Sequence, residues 1–360
     1  MKVIRNISIG IVIAINIIVA CATIFAAYAG HISPIEMEIA PIACMLFPLG
    51  IIITLVMIPI SFFVKRWTSL IPLATISVCL GPFLSNCPLN VFTENDHKKK
   101  HDHDITLLSY NAYNFKALDK VYPNDSTNAT LSYIIDTDAD IVCLQECEYL
   151  SPMRSWNVFR PQVDSLKEQY PHRIIGADNG ESIFSKYPVE EISSEGFYSH
   201  YRVKIYNKTL DIINVHLRSL RLTKEEKRQY SDLSDLSGQN SKIKDIARKV
   251  AAAAKNRARQ AEKLQKYIKR LNCKNIIVCG DFNDVPGCYA INTMCEGFDD
   301  AYADCGVGPT ITYHGDKIYF RIDHILYKGN LEATSCTRGN IDRSDHYPLL
   351  ATFHWKKKRQ

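Results

Sequence analysis

The sequence predicts a mixed α/β domain that is preceded by a membrane anchor of three helices. Residues 1–92 contain few charged side chains, whereas residues 93–360 carry nearly all of them. In this second part, short apolar runs typical of buried strands are mixed with helical patterns, but the two do not alternate strictly. This mixture favours mixed or mostly antiparallel sheets with helices packed outside them.

The composition of the whole chain sets few limits on its function. The chain has 360 residues, 46% of them hydrophobic, and a formal net charge of +5, so a large core and about two domains are expected. A net charge of this size does not by itself indicate a nucleic-acid partner. The twelve cysteines include no CxxC pair, and Cys143 and Cys279 lie in apolar runs typical of a core. Five others could form disulfides if the domain lies outside the cytosol: Cys273, Cys288, Cys295, Cys305 and Cys336.

Three apolar stretches follow one another at the N-terminus, at about 7–29, 39–64 and 67–84. Each approaches or exceeds the roughly 20 residues that a helix needs to cross the hydrocarbon layer of a membrane. We therefore interpret residues 1–92 as an anchor with three transmembrane helices. A cleavable signal peptide is the alternative for the first stretch, because basic residues precede it and Ala27-Tyr28-Ala29 ends it. The length of the stretch and the two spans after it favour the anchor.

Basic residues beside the spans predict how the anchor lies in the membrane. Lys2 and Arg5 precede the first span, and Lys65 and Arg66 form the turn between the second and the third. These residues place the N-terminus and that turn in the cytoplasm. After three crossings, the domain that follows is expected on the extracytoplasmic side.

Residues 93–104 are interpreted as a charged linker and residues 105–357 as one folded domain. A short helix is predicted at 128–135, and strands at 104–110, 139–144, 210–217, 276–279, 321–326 and 349–355, with shorter ones near 174 and 183. From Ser241, apolar residues recur every three or four positions over about thirty residues, with a basic opposite face. We interpret this segment as a surface helix packed on a sheet; the alternative is a contact with anionic lipid or another phosphate-rich partner.

The stretch from Asn275 to Gly287 joins a predicted buried strand directly to polar residues. Its apolar run 276–279 ends at Gly280 and is followed at once by Asp281 and Asn283. Alone, this stretch fits a structural strand followed by a polar turn as well as it fits part of a functional site. Other predicted strands, however, carry polar side chains at their ends in the same way: Asn111, Glu146, His216, Asp323, Asp345 and His346.

This set of polar residues is rich in oxygen ligands and contains two histidines. Carboxylate and amide oxygens suit Mg²⁺, Mn²⁺ or Ca²⁺, whereas a typical zinc site needs more histidine or cysteine. A carboxylate beside a histidine suits a general base, and amide or imidazole donors suit the charge that develops on a phosphoryl oxygen. The set predicts metal-assisted attack of water on a phosphate ester, with Mg²⁺ or Mn²⁺ as cofactor.

Six short motifs, in this order, resemble those of the endonuclease/exonuclease/phosphatase superfamily: Ser109-Tyr110-Asn111, Leu144-Gln145-Glu146, Asn214-Val215-His216-Leu217, Gly280-Asp281-Phe282-Asn283, Arg321-Ile322-Asp323 and Ser344-Asp345-His346. This superfamily includes DNase I, repair nucleases, neutral sphingomyelinases and inositol polyphosphate 5-phosphatases. Each motif is weak alone, and their combination over about 105–355 is specific. The resemblance implies a DNase I-like four-layer α/β sandwich, in which two mixed, mostly antiparallel sheets are flanked by helices and the site lies at one end.

The resemblance also implies a role for each site residue. Glu146 resembles the principal metal ligand, Asn111 lies beside it, and Asp345 contributes to the metal site. His346 resembles the general base, and Asp323 orients it.

Three further residues complete the implied site. Asp281 and Asn283 would position the nucleophile and the scissile phosphate. His216 would donate to a phosphate oxygen or to the leaving group, and a structural role is the alternative for it. The division of labour between His216 and Asp281 stays open. His314, His324 and His354 are interpreted as structural.

The chain also departs from its relatives at two places. Ala112 to Phe115 follow Asn111 where repair nucleases usually have a glycine-containing turn, and Glu181 stands where a small residue is more usual. The Val-His-Leu form around His216 resembles DNase I and the sphingomyelinases more than the repair enzymes.

Together, the spans and motifs resemble membrane-tethered members of the superfamily in bacteria. They predict a phosphoesterase of the bacterial inner membrane with its catalytic domain on the periplasmic side. The bilayer is one expected partner, and a phosphate ester is the substrate: a nucleic acid, a lipid headgroup or a sugar phosphate. No obligate protein partner is inferred. A non-specific nuclease and a catalytically idle membrane scaffold are the alternatives.

Overall fold

The computed structural model describes residues 2–90, 103–115, 127–147, 159–176, 180–220, 240–315, 319–341 and 343–356. Most of the predicted linker 93–104 lies outside these residues. The helices are α1 (Lys2–Tyr28), α2 (Ala40–Val64), α3 (Leu70–Val78), α4 (Leu80–Asn86), α5 (Ala129–Thr137), α6 (Arg160–Gln169), α7 (Asn240–Arg270), α8 (Tyr289–Met294) and α9 (Ala301–Cys305). The strands are β1 (Ile105–Asn111), β2 (Ile141–Gln145), β3 (His172–Ile174), β4 (Ser182–Ser185), β5 (Val189–Glu195), β6 (Tyr198–Ile205), β7 (Lys208–His216), β8 (Ile276–Asp281), β9 (Asp299–Asp300), β10 (Asp323–Lys328), β11 (Leu331–Arg338) and β12 (Leu349–Trp355).

Two six-stranded sheets form the folded domain, with the strand orders β11-β12-β1-β2-β4-β3 and β5-β6-β7-β8-β10-β9. The central pairs β1–β2 and β7–β8 are parallel, and the other strand pairs are antiparallel. The prediction of mixed, mostly antiparallel sheets is therefore confirmed. Because strands of a parallel pair run in the same direction, each central pair brings two strand ends to one edge of its sheet.

The sheets pack face to face with helices on both outer surfaces, which gives four layers. Leu107 of the first sheet and Tyr201 of the second lie in the core between them. Leu131 of α5 packs outside the first sheet, and Leu264 of α7 packs on Val278 outside the second. The basic segment from Ser241 is thus a helix whose apolar face is buried on a sheet, as we expected.

In the anchor, α1 and α2 are each long and apolar enough to cross a membrane. Two buried polar contacts join them: Asn16 Nδ2 donates to Ser61 Oγ at 2.8 Å, and the hydroxyls of Thr23 and Thr54 lie 3.2 Å apart. Apolar side chains such as Phe63 point outward and are exposed. This is the arrangement of membrane helices, in which polar groups join neighbours and apolar groups face lipid.

The third predicted span is not one straight helix. It is split into α3 and α4, which are bent by 59° at Cys79, so it forms a third span only if this bent pair is counted as one. The cause is Pro82, which has no N–H to donate to the carbonyl of Val78 four residues earlier. The hydroxyl of Tyr28 donates to that carbonyl instead, at 2.7 Å.

One end of the anchor packs directly on the folded domain. Ala29 and Cys44, near the α1–α2 loop, share a buried cluster with Val285 and Ile322. After the end of α4 in the sequence, Asn90 Nδ2 donates to the carbonyls of Ala303 and Gly306, at 2.9 Å each. The turn with Lys65 and Arg66 lies at the other end of α2.

Several strands escaped prediction. β5, β6, β9 and β11 are paired in the sheets. The sequences of β5, β6 and β11 mix polar and apolar residues without clean alternation, and β9 consists only of Asp299 and Asp300. β5 is the edge of its sheet and exposes charged side chains, which protects an edge from pairing with other chains. The five cysteines that could form disulfides are unpaired, and all twelve cysteines, which lie within the described residues, are free.

Gly280 allows β7 and β8 to approach closely beside the predicted site. Its φ is +136°, and a Cβ there would lie 2.0 Å from the carbonyl oxygen of Val215. We therefore expect Gly280→Ala to destabilise the domain by about 2 kcal/mol or more, because both the backbone and the contact oppose a side chain. Thermal unfolding of the full chain in detergent measures this, with Gly81→Ala, which meets nothing within 4 Å, as control. Equal unfolding temperatures would contradict the account.

Glu181 is a buried carboxyl whose Oε2 has no hydrogen-bond partner. Burial raises the pKa of Glu181 to about 8. The folded state therefore holds a proton that the unfolded state releases, so stability falls as the pH rises from about 4.5 to about 8.

We expect Glu181→Gln to be more stable than the wild type at pH 9, with a difference that shrinks toward pH 5, because glutamine carries no charge to bury. Unfolding temperatures between pH 5 and 9 measure the difference, and Glu190→Gln on the exposed edge strand is the matched control. A gain that does not vary with pH would refute the explanation by ionisation.

Candidate active site

The structure brings all eight predicted site residues to one end of the sandwich. β1 ends at Asn111, and Glu146 directly follows β2, its parallel neighbour. In the second sheet, His216 and Asp281 end the parallel pair β7–β8 in register with each other. Asp323 begins β10 opposite Asp281. Three other residues join this group: Asn283, Asp345 and His346.

The carboxylate of Asp281 is the centre of the group. It is 1% exposed and accepts hydrogen bonds from Asn111 Nδ2 at 3.1 Å, from the Asn283 backbone N–H at 2.8 Å and from Asn283 Nδ2 at 3.0 Å. Its Oδ2 also lies 3.7 Å from His216 Nε2 and 3.6 Å from His346 Nε2. Burial raises the pKa of Asp281 to about 6, with His346 opposing the rise. The site therefore holds the buried carboxylates of Asp281 and Asp323 close to the ring of His346.

His346 is held rigidly by its neighbours. Its Nδ1 lies 2.8 Å from Asp323 Oδ2, and the ring of Tyr313 packs edge-on against it at 5.1 Å. In the neutral ring, Nδ1–H donates to Asp323 and Nε2 is left to accept a proton. Burial lowers the pKa of His346, but the carboxylates of Asp323 and Asp281 outweigh burial and raise it to about 10.

Glu146 has an unusual backbone conformation that presents its carboxylate to the group. Its φ is +48°, a region in which residues with a side chain are strained. Its Oε1 accepts from Asn111 Nδ2 at 3.2 Å and lies 3.7 Å from His216 Nε2. Glu146 remains partly open to solvent, so its oxygens are available to a ligand.

The remaining predicted residues surround this centre. The His216 ring is 21% exposed and faces both Glu146 and Asp281, which disfavours the alternative of a core histidine. Asn283 Nδ2 also donates to the carbonyl of Leu217 at 3.0 Å, which fixes its side chain. Asp345 lines the same cleft as Glu146 and Asp281.

The turn after Asn111 adopts a left-handed backbone conformation although it contains no glycine. Tyr113, Asn114 and Phe115 all have positive φ, between 45° and 56°. The Asn114 N–H donates to the Glu146 carbonyl at 2.6 Å, and the Tyr113 N–H donates to Asn111 Oδ1 at 3.1 Å. The strained turn therefore holds the two predicted metal ligands together.

Sequence reasoning missed several residues of the cleft. Arg257 of α7 pairs with Asp284, Nε to Oδ2 at 3.2 Å, and both side chains are buried. Asp284 follows the Asp281–Asn283 motif, but no local pattern indicates Arg257 as its partner. The apolar walls come from Tyr313, Phe320 and Met45 of α2, because distant segments meet there.

The three other histidines have structural contacts. His324 is buried against the Phe282 ring, and its Nε2 lies 3.1 Å from the Asp284 carbonyl. His314 stacks on Tyr347. His354 pairs with Asp104, Nδ1 to Oδ1 at 2.7 Å.

The cleft over this group has a volume of about 230 Å³, and its residues fit a hard cation. Ligand atoms of the buried Asp281, Asp323 and His346 lie within 4.8 Å of one another, and Glu146 and Asp345 add further carboxylates. Oxygen donors in excess of nearby positive charge are what Mg²⁺ or Mn²⁺ requires.

Several solved structures are similar to this chain at low sequence identity. Truncated TDP2 of Caenorhabditis elegans is 17% identical with a TM-score of 0.45, covering 71% of this chain and 99% of its own. The catalytic domain of human Nocturnin with bound sulfate is 16% identical with a TM-score of 0.46, covering 70% and 95%. A double mutant of Staphylococcus aureus beta toxin with bound magnesium ions is 17% identical with a TM-score of 0.42, covering 71% and 100%.

Sequence families give a more definite result. No protein of curated function matches this chain. Residues 9–86, which span the anchor helices, match a domain of unknown function, DUF8431. Residues 108–346, from β1 to His346, match the Endonuclease/Exonuclease/phosphatase family. The chain belongs to the endonuclease/exonuclease/phosphatase family.

Proposed function

We propose that this protein is a membrane-anchored, divalent-metal-dependent hydrolase that breaks a phosphate ester bond with an activated water molecule. The observation that carries the proposal is the convergence of buried carboxylates on Asp281, next to the Asp323–His346 pair. An excess of carboxylate suits a hard cation. A histidine whose Nδ1 is fixed by a carboxylate suits proton transfer at Nε2.

Glu146 would hold the cation, with Asn111 beside it and Asp345 on the same cleft. When bound, Mg²⁺ or Mn²⁺ supplies positive charge that stabilises the phosphoryl oxygens of the transition state. The strained backbone of Glu146 supports this role, because strain of this kind is concentrated at functional sites.

The proton transfers would be carried out by the two histidines. A bound cation would offset the carboxylate charge that raises the pKa of His346, so that its Nε2 is free to take a proton from water while Asp323 holds the ring through Nδ1. The water oxygen forms a bond to phosphorus, and the bond from phosphorus to the leaving oxygen breaks with its electron pair on that oxygen. His216 donates to a phosphate oxygen or to the leaving group, and Asp281 and Asn283 position the water and the phosphate.

We further propose that the domain lies outside the cytoplasm of a bacterial cell, on the periplasmic face of the inner membrane. The loop between α1 and α2, which contacts the domain, carries neither lysine nor arginine. The basic residues Lys65 and Arg66 lie at the opposite end of α2. Because basic loops stay in the cytoplasm, this arrangement supports an extracytoplasmic domain.

Hydrolysis of bis(p-nitrophenyl) phosphate by the full chain in detergent tests the proposed activity. We expect activity with Mg²⁺ or Mn²⁺, none with EDTA, and a loss of at least about 100-fold in His346→Ala, as removal of a general base usually causes. Activity that survives EDTA would contradict the proposal, and full activity of His346→Ala would contradict the assignment of the base.

Metal binding gives a readout that does not depend on turnover. We expect Glu146→Gln to lower the affinity for Mn²⁺, measured by calorimetry, at least about tenfold. Glu190→Gln, on the exposed edge strand β5, is the matched control. Equal affinities for the two variants would remove Glu146 from the metal site.

Alkaline phosphatase fused after Gln360 tests the orientation, because this reporter folds only outside the bacterial cytoplasm. We expect an active fusion at Gln360 and an inactive fusion at Lys65. The reverse pattern would place the domain in the cytoplasm.

A further inference from the structure

A second, apolar cavity of about 360 Å³ lies next to the cleft over the candidate active site. The two cavities share Met45, Val285 and Phe320 in their walls. One wall of the second cavity is the membrane helix α2, from Cys44 to Leu55. At 1.5 Å per residue, this wall is about 16 Å long. An apolar groove, formed by the residues that line this second cavity, therefore lies beside the candidate active site and along α2.

The groove is open toward lipid. Ile52 and Leu55, which line it, are 57% and 48% exposed. Among large apolar residues of the described part of the folded domain, five are exposed, and three of these lie at 307–319: Val307, Ile311 and Tyr319. Ile311 and Tyr319 line the groove. Since large apolar side chains cluster where a surface meets lipid, this side of the domain faces the membrane.

A polar group also lines the groove. Arg321 is 5% exposed, and its Nη2 contacts Ser85 and Asp300. Its Nε and Nη1 have no hydrogen-bond partner. Buried guanidinium N–H groups normally find an acceptor, so a ligand with an ester or phosphate oxygen fits beside an otherwise apolar wall.

We propose that the substrate is a membrane lipid that carries a phosphate ester, and that it enters from the bilayer with its tail in this groove. This inference rests on the proposed function and names its substrate class. Water adds to phosphorus, the bond to one ester oxygen breaks with its electron pair on that oxygen, and that oxygen takes a proton. The tail contributes binding energy, because moving its CH₂ groups from water into an apolar site is favourable.

The test compares a lipid with the same headgroup lacking its tails. The full chain in detergent is given mixed vesicles of phosphatidylethanolamine, phosphatidylglycerol and phosphatidic acid, or soluble glycerophosphoglycerol, and products are quantified by mass spectrometry. We expect kcat/KM for phosphatidylglycerol to exceed that for glycerophosphoglycerol at least tenfold. Single-stranded DNA and RNA form the third arm.

Two tryptophan variants of neighbouring residues test the groove itself. Ile52→Trp fills the groove, whereas Ile53→Trp changes an exposed residue of α2 that does not line it. We expect Ile52→Trp to lower kcat/KM for the lipid at least fivefold more than it lowers hydrolysis of bis(p-nitrophenyl) phosphate. Ile53→Trp should change neither.

The outcomes distinguish this inference from the function on which it rests. If bis(p-nitrophenyl) phosphate is cleaved but the vesicle lipids are not, or if nucleic acid is preferred, the lipid inference is overturned and the phosphoesterase stands. Equal effects of the two tryptophan variants also overturn it, because the groove would then hold no reacting lipid. If no phosphate ester is cleaved at all, both fail.

Discussion

The carboxylate of Asp281 lies where the two sheets meet, and the geometry of the site depends on how it is held. Asn111 of the first sheet donates to it across the interface between the sheets. Beneath it, Gln145 Nε2 of the first sheet donates to Asn214 Oδ1 of the second at 2.6 Å. A buried polar group without a partner destabilises the folded protein, so these bonds favour one relative position of the sheets. The same contacts that fix the sandwich therefore align the residues of the candidate active site.

The anchor helices also contact the loop and the cleft of the candidate site. Gly30, after α1, lies so close to the Gly287 carbonyl that a Cβ would meet it at 1.7 Å. Gly287 ends the stretch that begins with the strand carrying Asp281. Met45 of α2 forms part of the cleft wall. Packing of α1 and α2 is therefore coupled to the loop beside the candidate site.

The sequence predicted those features of the site that depend on neighbouring residues in the chain. Polar residues at the ends of predicted strands leave a recognisable pattern, and the eight residues selected in this way lie together at one end of the sandwich. Patterns could not reveal partners that only tertiary packing selects, such as Arg257 with Asp284. Hydropathy found the apolar stretch 67–84 but not its bend, because the bend depends on a carbonyl freed by Pro82 and bonded by Tyr28. Edge strands such as β5 were missed, since their exposed charges obscure the alternation that marks a strand.

The central claim is that carboxylates from both sheets converge to hold a cation for attack on a phosphate ester. Anomalous diffraction from crystals of the full chain grown with Mn²⁺ tests it most directly. The account predicts a manganese peak in the cleft with the Glu146 carboxylate among its ligands, and Asp281 or Asp345 beside it. A cleft without manganese at saturating concentration, or a peak that Glu146 does not touch, would contradict it.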